Sequence, residues 1–542
     1  MNRRLLAVFC ILTTAALLLS VCRPMATPAF AAEATLARPG KPGGVLEYWN
    51  RTDPPGFDLH RWTSHTPFFA HPVFNTLVRY DATKKGFLVE NIIGDLAERW
   101  DVSPDGKTYT FFLHKQVQWH DGQPFTAADV AYSFEKMLDP KRSVLAARFP
   151  GFGELEIVDD HTVKVHMKAP QASFIPMLAQ GYAVVQPKHK AGTDGKSIDF
   201  LKVGTGPFMF KESVSGVSYT YVKNPKYFKP GLPYLDGLII HIIRERPPQR
   251  AAFVAHRVNM TSPTIGMDTK SSYEEHQKGV PSATYSIQDF PTVRLLWFNL
   301  KGDKPWKDVR VRRAINLALD REQLVLAGVG DLAWARVGGM LPPASPYALP
   351  AEELAKIQWW DRPYAERLAE ARRLMKEAGY AQGFKVRLVA RTLALYKRIL
   401  SQAADLMRQI NIDVTLELPE TARAMEQRER GDFDMYFEVM YVSIGDPDEI
   451  TGYHTTGGPE NWTGYGNPEL DALFTKQSQA ATPAERQKYT HAIERILARD
   501  APAIPTFFVR YGVGRHPEVK NWTPPDTPYA AHLQMEQVWL EK

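Results

Sequence analysis

A strand–helix–strand pattern over residues 384–418 constrains this chain more than any other feature of its sequence. Apolar residues alternate with polar ones over 384–390, which predicts a strand, and they alternate again over 412–418. Between these stretches, apolar residues recur at helical spacing over 395–410. A strand, a helix and a second strand in this order form a right-handed crossover between parallel strands. We therefore predict an α/β domain in this part of the chain.

The rest of the chain divides at shifts in periodicity. The strand–helix alternation runs from about residue 291 to about residue 505, and strand and turn patterns occupy 204–290 and 506–542. A length of 542 residues corresponds to roughly three domains of about 150 residues each. With 44% apolar and 23% charged residues, the chain has the composition of a globular protein. We therefore expect several folded domains.

The amino terminus has the features of a secretory signal peptide. Arg3 and Arg4 form a basic start, residues 5–21 are uncharged and apolar, and residues 29–31 provide an A-x-A cleavage site. The apolar stretch is short for a membrane-spanning helix, which needs about 20 residues. We predict that residues 1–31 are a cleaved signal peptide and that the mature protein is periplasmic.

A lipoprotein anchor at Cys22 is the alternative for this end of the chain. Residues 19–22 read Leu-Ser-Val-Cys, which resembles a lipobox, although Val21 is large for the position before the cysteine. Cys10 and Cys22 are the only cysteines of the sequence, and both lie in the leader. The mature chain therefore has no thiol for catalysis, for a zinc site or for a disulfide.

The charge balance excludes partners of the polyanion class. The chain has 66 basic and 60 acidic residues, and three of the basic ones lie in the leader. The small basic excess that remains, without any long run of lysine or arginine, is too weak for nucleic-acid binding. We therefore expect no nucleic-acid partner.

Sequence motifs of enzymes are missing. The chain has no H-E-x-x-H or G-x-S-x-G sequence, and residues 192–197 lack the glycine that a phosphate-binding loop needs at position 190. The spacing of His60, His65 and His71 fits no metal site. We predict no catalytic residue, no metal and no cofactor, and we predict that the protein is not an enzyme. A secreted hydrolase is the remote alternative.

Aromatic residues lie in polar, irregular stretches where a ligand cleft can use them. The chain has 12 Trp, 22 Tyr and 27 Phe residues, and Phe57, Trp62 and Tyr441 are among those in such stretches. Aromatic side chains provide a large contact area at a small entropic cost. Each of them could equally pack in a core, but together they suggest the binding of a small molecule.

Five stretches resemble signatures of one protein family. Residues 95–111, which read DLAERWDVSPDGKTYTF, look like the signature of the large extracytoplasmic solute-binding proteins of ABC importers, the oligopeptide/dipeptide/nickel-binding family 5. The other stretches are similar to the family in type and order, and they are 74–81, 119–130, 204–208, and 297–299 with 308–316. Together they span almost the whole mature chain.

The resemblance implies an α/β, two-lobed periplasmic-binding-protein fold with an extra subdomain in the first lobe and a hinge of two chain crossings. The implied segments are a signal peptide at 1–31, a first lobe at 32–70, 203–290 and 506–542, an extra subdomain at 71–202 and a second lobe at 291–505. The crossings are expected near Phe290-Pro291 and near Ile504-Pro505.

The resemblance also implies a function for the chain. A monomer is expected to capture a peptide or a similar small organic solute between its lobes and to deliver it to the permease subunits of an ABC importer. Non-peptide ligands are the alternative: an oligosaccharide, an opine-like conjugate or a metal chelate. His454, in the loop that follows Asp446-Pro447, is the residue to watch for a chelate.

One departure from the family pattern bears on the ligand. Peptide-binding members hold the α-ammonium of the peptide with an aspartate shortly before an acidic-Pro pair, and counting back from Asp446-Pro447 places Ser443 there. A hydroxyl cannot replace a carboxylate opposite a cation. The ligand therefore has no free amino group, or Asp446, Asp448 or Glu449 takes over, or the count is shifted by a few residues.

Six residues are predicted to line the cleft. They are Phe57 and Trp62 from the first lobe, and Met440, Tyr441, Ser443 and Asp446 from the second. The backbone of residues 440–443 could pair with an extended ligand as an added strand.

Overall fold

The computed structural model describes residues 38–542, except for 62–64, 82, 85–87, 441–445 and 525–534. The predicted signal peptide, residues 1–31, lies outside the described residues. The same holds for three predicted site residues, Trp62, Tyr441 and Ser443.

The described residues form a mixed α/β structure. Its strands are β1 (Val45–Asn50), β2 (Val78–Tyr80), β3 (Ile92–Gly94), β4 (Ala97–Val102), β5 (Thr108–Leu113), β6 (Phe152–Asp159), β7 (Thr162–Met167), β8 (Phe208–Val214), β9 (Ser218–Lys223), β10 (Gly237–Ile242), β11 (Thr284–Phe298), β12 (Ala335–Arg336), β13 (Phe384–Ala390), β14 (Ile412–Glu417), β15 (Met435–Met440), β16 (Ala503–Arg515), β17 (Val519–Lys520) and β18 (Trp539–Leu540). Its α-helices are α1 (Pro67–Ala70), α2 (Ala127–Leu138), α3 (Phe174–Ala179), α4 (Arg246–Val254), α5 (Lys270–Gly279), α6 (Val309–Ala318), α7 (Arg321–Val329), α8 (Ala351–Gln358), α9 (Tyr364–Glu377), α10 (Ala394–Arg408), α11 (Thr421–Arg430), α12 (Pro447–Thr451), α13 (Pro468–Ser478) and α14 (Pro483–Asp500).

The predicted strand–helix–strand unit is confirmed as β13, α10 and β14. The two strands are parallel, with Phe384 opposite Ile412 and Val389 opposite Glu417. Strand β15 is parallel to β13 on its other side. The crossover thus builds a local parallel sheet of three strands, as its periodicity predicts.

This unit belongs to a six-stranded sheet in the order β12-β16-β11-β15-β13-β14. Both faces of the sheet are buried, and its residues alternate between them. On β11, Leu296 and Phe298 pack on one face, while Leu295 and Trp297 pack on the other. Helices α6, α7, α9 and α10 cover the first face, and α12 to α14 contribute to the second. We call these two layers together the second core.

A separate hydrophobic cluster, which we call the first core, lies under two four-stranded, largely antiparallel sheets. One sheet has the order β8-β9-β10-β1, in which only β1 and β10 are parallel, and the other has the order β4-β5-β7-β6. Alternation places Tyr109, Phe111 and Leu113 of β5 in the cluster. Helices α2 and α3 pack into the same cluster through Phe134 and Phe174. Sequence period and burial therefore agree in both cores.

Two long strands connect the cores. Strand β11 has Phe290 in the first core and Leu296 in the second, and its antiparallel neighbour β16 has Val513 in the first core and Phe507 in the second. The pairing of β11 with β16 shifts its register between Asp289 and Leu295. Both chain crossings thus lie side by side in one ladder, and an irregular step interrupts that ladder.

Candidate functional site

A cavity of about 380 Å³ lies between the two cores. Its floor consists of the connecting strands, because Phe290, Thr292 and Arg294 on β11 and Val509 and Tyr511 on β16 all line it. Alternate residues of a strand point to the same face. The same side of both connecting strands therefore faces the cavity, and a molecule held here contacts the link between the cores.

The walls of the cavity come from both cores. Arg51, His65 and Phe68 line it on the side of the first core, and Arg391 and residues 393–396 line it on the side of the second. The second wall lies at the carboxyl ends of the parallel strands β13 and β15. Ligands of open α/β sheets bind in this position.

Arg391 is held in the wall by a buried carboxylate. Its Nε and Nη2 donate to the two oxygens of Glu438 at 2.6 Å and 2.7 Å. The Tyr396 hydroxyl donates to Oε1 of Glu438 at 2.6 Å, and the Val439 amide donates to the same oxygen at 2.8 Å. Glu438 therefore accepts four hydrogen bonds, and its charge is fully committed to Arg391.

The carboxylate of the lining itself, that of Asp268, is shared between two arginines. Asp268 lies 3.4 Å from Nη1 of Arg51 and 2.9 Å from Nη2 of Arg246. Burial alone would raise the pKa of Asp268, but Arg51 and Arg246 hold that pKa below its usual value. The group therefore has one negative charge against two positive ones.

Arg294 lies at the floor without a matching anion. Only 4% of its surface is exposed, and its Nε and Nη1 atoms are buried with no hydrogen-bond partner in the ranges that the structure describes. In the described part of the chain, no carboxylate approaches this guanidinium within 4.0 Å. The guanidinium packs over the ring of Phe507, with its Cζ atom 5.8 Å from the ring centre. It thus lacks the partner that a buried charge ordinarily requires.

The lining as a whole is strongly cationic. Its charged residues are Arg51, Arg246, Arg294, Arg391, Arg398 and Asp268. Burial, with Arg51 and Arg391 nearby, lowers the pKa of His65, so its imidazole adds little charge at neutral pH. Even with Glu438 counted behind the wall, arginines outnumber carboxylates in this part of the described structure. The electrostatics of the cavity therefore favour an anion.

The amino end of helix α10 also faces the cavity. Its N-cap residue is Leu393, which makes no side-chain hydrogen bond to the helix, and its first turn has no acidic residue. Leu393, Ala394 and Leu395 all line the cavity. The partial positive charge of the helix terminus thus adds to that of the arginines.

Polar contacts outside the cavity lining also bridge the cores. Arg148 lies between Leu145 and Phe149 in the sequence, and both of these belong to the first core. It forms an ion pair with Glu449 of α12. Ser173 donates to Asp448 at 2.5 Å, and the amide of Ala172 donates to the carbonyl of Ser478 at 2.7 Å. The described structure therefore has its two cores joined directly as well as through β11 and β16.

A larger cavity, of about 720 Å³, is lined by residues 58–203 alone. In its wall the Lys136 ammonium donates to Asp58 at 2.6 Å and to Gln186 at 2.7 Å. Gln186 in turn donates to Asp58 at 2.9 Å. Because these groups satisfy one another and the second core contributes nothing, we take the cavity between the cores as the candidate site.

Phe57 and Met440, two of the predicted site residues, lie outside the lining of this cavity. The Phe57 ring is buried, with its centre 6.3 Å from that of Tyr219, and the Phe57 amide donates to the carbonyl of Gly195 at 2.7 Å. Met440 is fully buried in the second core at the end of β15. Their assignment to a ligand site stays a prediction.

Asp446, the third described residue of that prediction, has a protein partner. Arg486 donates to its two oxygens at 2.6 Å and 2.8 Å, and Asp446 also caps α12 by accepting from the Asp448 amide at 2.9 Å. Burial raises the pKa of Asp446 against the opposing effect of Arg486. Its position is thus explained by local structure, and its contact with a ligand also stays a prediction.

His454, the residue to watch for a metal chelate, is fully buried. Its ring stacks on Trp297 with centres 5.4 Å apart, and neither ring nitrogen has a hydrogen-bond partner among the described residues. Burial lowers the pKa of His454 to about 3. The side chain therefore packs in the second core as a neutral ring.

The arginines of the cavity were not predicted from the sequence. One signal was available for Arg294, because it interrupts the apolar stretch of residues 293–298. A charge within a buried strand requires either a partner or a function. Arg51 and Arg391 carry no comparable local signal.

Comparison with known proteins places the chain among solute-binding proteins. The family described as bacterial extracellular solute-binding proteins, family 5, middle region, matches residues 91–462. Among the described residues, no helix combines the length and the apolar character that a membrane crossing requires.

Two curated relatives cover most of the chain. Di/tripeptide-binding protein 1 of Pseudomonas aeruginosa (strain UCBPP-PA14) is 28% identical over 502 residues, which cover 85% of this chain and 88% of that protein. Glutathione-binding protein GsiB of Pectobacterium atrosepticum is 29% identical over 429 residues, which cover 76% of this chain and 79% of that protein.

A solved structure shares the fold. The periplasmic binding protein DppA of Helicobacter pylori, in complex with the peptide STSA, superposes with a TM-score of 0.77 at 23% identity and covers 93% of this chain and 99% of its own. The predicted fold class, an α/β two-lobed periplasmic-binding-protein fold, is thereby confirmed.

Proposed function

Because the chain belongs to the bacterial extracellular solute-binding proteins of family 5, we propose that it captures a small peptide or a similar small organic solute and delivers it to the membrane permease of an ABC importer. One observation carries this proposal: a single cavity takes its walls from both cores and its floor from the two strands that connect them. Relatives whose names specify di- and tripeptides support the class of ligand.

The position of the cavity suggests how binding is coupled to transport. A ligand that contacts both walls stabilises the form in which the cores are joined, because its contacts to the second wall exist only in that form. The bridges at Arg148 and Ser173 add to the same form. The permease then distinguishes the joined form from an open one.

We extend the proposal to the segments and surroundings of the chain. Residues 1–31 act as a signal peptide, the mature protein works as a monomer in the periplasm, and its cores correspond to the lobes and the extra subdomain with the boundaries given above. Lipidation at Cys22 stays the alternative for the amino terminus. The protein binds its solute without chemical conversion.

Residues that are close in sequence to the cavity lining complete the proposed ligand contacts. Trp62 precedes the lining residue His65 by three positions, and Tyr441 follows the lining residue Val439 by two. Ser443 belongs to the same stretch as Tyr441. We therefore retain these three as ligand contacts.

Native mass spectrometry of the exported protein, purified under gentle conditions, tests the proposed function. We expect a mass above that of the cleaved chain, and release of the added component should yield an intact small peptide or related solute. A chain that converts an added peptide to products would instead support the secreted hydrolase. An added component that is a sugar or a metal chelate would replace the proposed ligand class.

A further inference from the structure

We propose that the ligand is a net anion and that one of its carboxylates binds the guanidinium of Arg294 at the floor of the cavity. This inference rests on the proposed function and specifies the charge of the solute. The residue that selects for this charge would lie on the connecting strand β11.

The first argument is the state of Arg294 itself. Only 4% of its surface is exposed, and two of its three guanidinium nitrogens lack a hydrogen-bond partner among the described residues. In the ranges that the structure describes, it has no ion pair. A buried arginine with no anion is strongly unfavourable, so the fold tolerates it only if something else supplies the anion.

The position of Arg294 makes a ligand the source of that anion. Arg294 shares its face of β11 with Phe290 and Thr292, which line the same cavity. Across the strand pair it lies opposite Val439 of β15, another lining residue. The guanidinium thus lies where a molecule bound between the cores meets the connecting strand.

The second argument is that the described lining of the cavity offers no free carboxylate to a cation. Glu438 accepts from Arg391, Tyr396 and its neighbouring amide, and Asp268 is shared by Arg51 and Arg246. Residues 62–64 and 441–445, which precede His65 and follow Met440 in the sequence, contain no acidic residue either. An α-ammonium group would therefore find no unshared partner in this lining, whereas carboxylates would find several donors.

The third argument is the helix terminus beside Arg391. The uncapped amino end of α10 faces the cavity, and Arg398 of that helix lines it as well while donating to the Gly328 carbonyl at 2.8 Å. Backbone amides at a helix start and a nearby guanidinium favour the same ligand chemistry. The ligand class that fits is an amino-acid-derived anion, such as an acidic dipeptide or a dipeptide whose amino group is blocked.

The alternative is that Arg294 only packs over Phe507. Substitution distinguishes the two roles. Under the packing role, Arg294→Leu lowers the melting temperature of the unliganded protein and leaves the charge preference of the cavity unchanged. Under the proposed role, Arg294→Leu keeps or raises that melting temperature, because it removes an unmatched charge, and it abolishes the charge preference.

Isothermal titration calorimetry at low salt with two matched pairs of dipeptides tests the inference. Ala-Glu and Ala-Gln differ only in a side-chain charge, and N-acetyl-Ala-Ala and Ala-Ala differ in the ammonium group. We expect the wild-type protein to bind the more anionic member of each pair at least about tenfold more tightly, in keeping with a charge-assisted hydrogen bond. Arg294→Leu should reduce this ratio to about one, while Arg294→Lys, which keeps the charge, should retain part of it.

Each result decides between the claims. Equal affinity within both pairs, or a preference that Arg294→Leu leaves intact, overturns the inference while the proposed function stands. If none of the four dipeptides binds at millimolar concentration, the proposed peptide class fails and the inference fails with it. Should Arg294→Leu not fold, the two wild-type ratios and Arg294→Lys still decide the question.

Discussion

Arg148 and Glu449 form a buried ion pair that joins the first core to the second outside the connecting strands. The Arg148 side chain is 19% exposed and that of Glu449 is 2% exposed. Neither residue lines the cavity, so the pair can affect ligand affinity only through the relative position of the cores. It is therefore a direct probe of the coupling between closure and binding.

We predict that Glu449→Gln weakens ligand binding without removing a ligand contact. The substitution removes the charge of the carboxylate that pairs with Arg148 in the joined form, whereas opening returns Arg148 to water. A bias of roughly 1–2 kcal/mol toward the open form corresponds to about five- to thirtyfold weaker affinity. Calorimetry with the released ligand measures the affinity, and small-angle scattering measures the shift toward an open form.

The exposed pair between Arg142 and Glu135 provides the control for this prediction. Their side chains are 37% and 72% exposed, and the pair lies within the first-core part of the chain. Glu135→Gln should therefore leave affinity and scattering unchanged. If Glu449→Gln behaves in the same way, the ion pair does not contribute to closure.

A second prediction concerns Asp446, for which the sequence suggested a ligand contact. In the structure Asp446 forms a buried pair with Arg486, and Asp448 lies 3.4 Å from the same guanidinium. Arg486→Met leaves both carboxylates without their cation, and we expect it to lower the free energy of unfolding by about 3–5 kcal/mol. Chemical denaturation of the unliganded protein measures this loss.

Combining Arg486→Met with Asp446→Asn tests whether the two residues act as a unit. Because the second substitution removes a charge that has already lost its partner, the double variant should be more stable than the sum of the single losses predicts. Additive losses would show that the pair is not coupled. A loss of ligand affinity by Asp446→Asn at unchanged stability would support the ligand contact predicted from the sequence.

A third prediction is an acid-dependent loss of stability through His454. Burial lowers its pKa to about 3, whereas an unfolded histidine has a pKa of about 6.5. Between these values the unfolded state binds the proton and the folded state does not, so the free energy of unfolding decreases as the pH falls from about 6.5 toward 3. The contribution of one such group reaches about 1.4 kcal/mol per pH unit.

His454→Phe should remove this contribution and flatten the dependence of the melting temperature on pH below about 6.5. At neutral pH the variant should be at least as stable as the wild type, because the ring nitrogens of His454 have no hydrogen-bond partner among the described residues.

His60 is the matched control: burial lowers its pKa to about 4, but its Nε2 bonds the Val184 carbonyl at 3.0 Å. His60→Phe should therefore destabilise the protein at neutral pH. An unchanged acid dependence in His454→Phe would contradict the prediction.

The fold was predictable where the signal is local. The crossover of β13, α10 and β14 follows from periodicities that a single short stretch contains, and the structure reproduces its strands within one residue at either end. The order of the six-stranded sheet could not be predicted in this way. Strands β11, β15 and β16 are more than 60 residues apart in sequence, and no local pattern specifies which of them become neighbours. That order depends on packing between segments.

The candidate site was less predictable for the same reason. Arg51, Arg294 and Arg391 belong to three distant segments, and only the sheet order and the position of the first core bring them to one cavity. The pair Asp446-Pro447 can be recognised in the sequence, but the partner of Asp446 lies 40 residues further along the chain. The role of a single charged residue therefore cannot be inferred from the sequence until its neighbours in space are known.

The last prediction concerns Tyr441, which follows β15 directly. If Tyr441 contacts the ligand, Tyr441→Ala should weaken binding by about tenfold or more, while the melting temperature of the unliganded protein stays nearly unchanged. Tyr436 on the same strand is the control, because it is fully buried in the second core. Tyr436→Ala should lower the free energy of unfolding by about 3–5 kcal/mol, the cost of removing a large buried side chain. Thermal denaturation with and without ligand compares the two variants. Equal losses of unliganded stability would make Tyr441 a core residue, so that ligand specificity would depend on the arginines of the cavity instead.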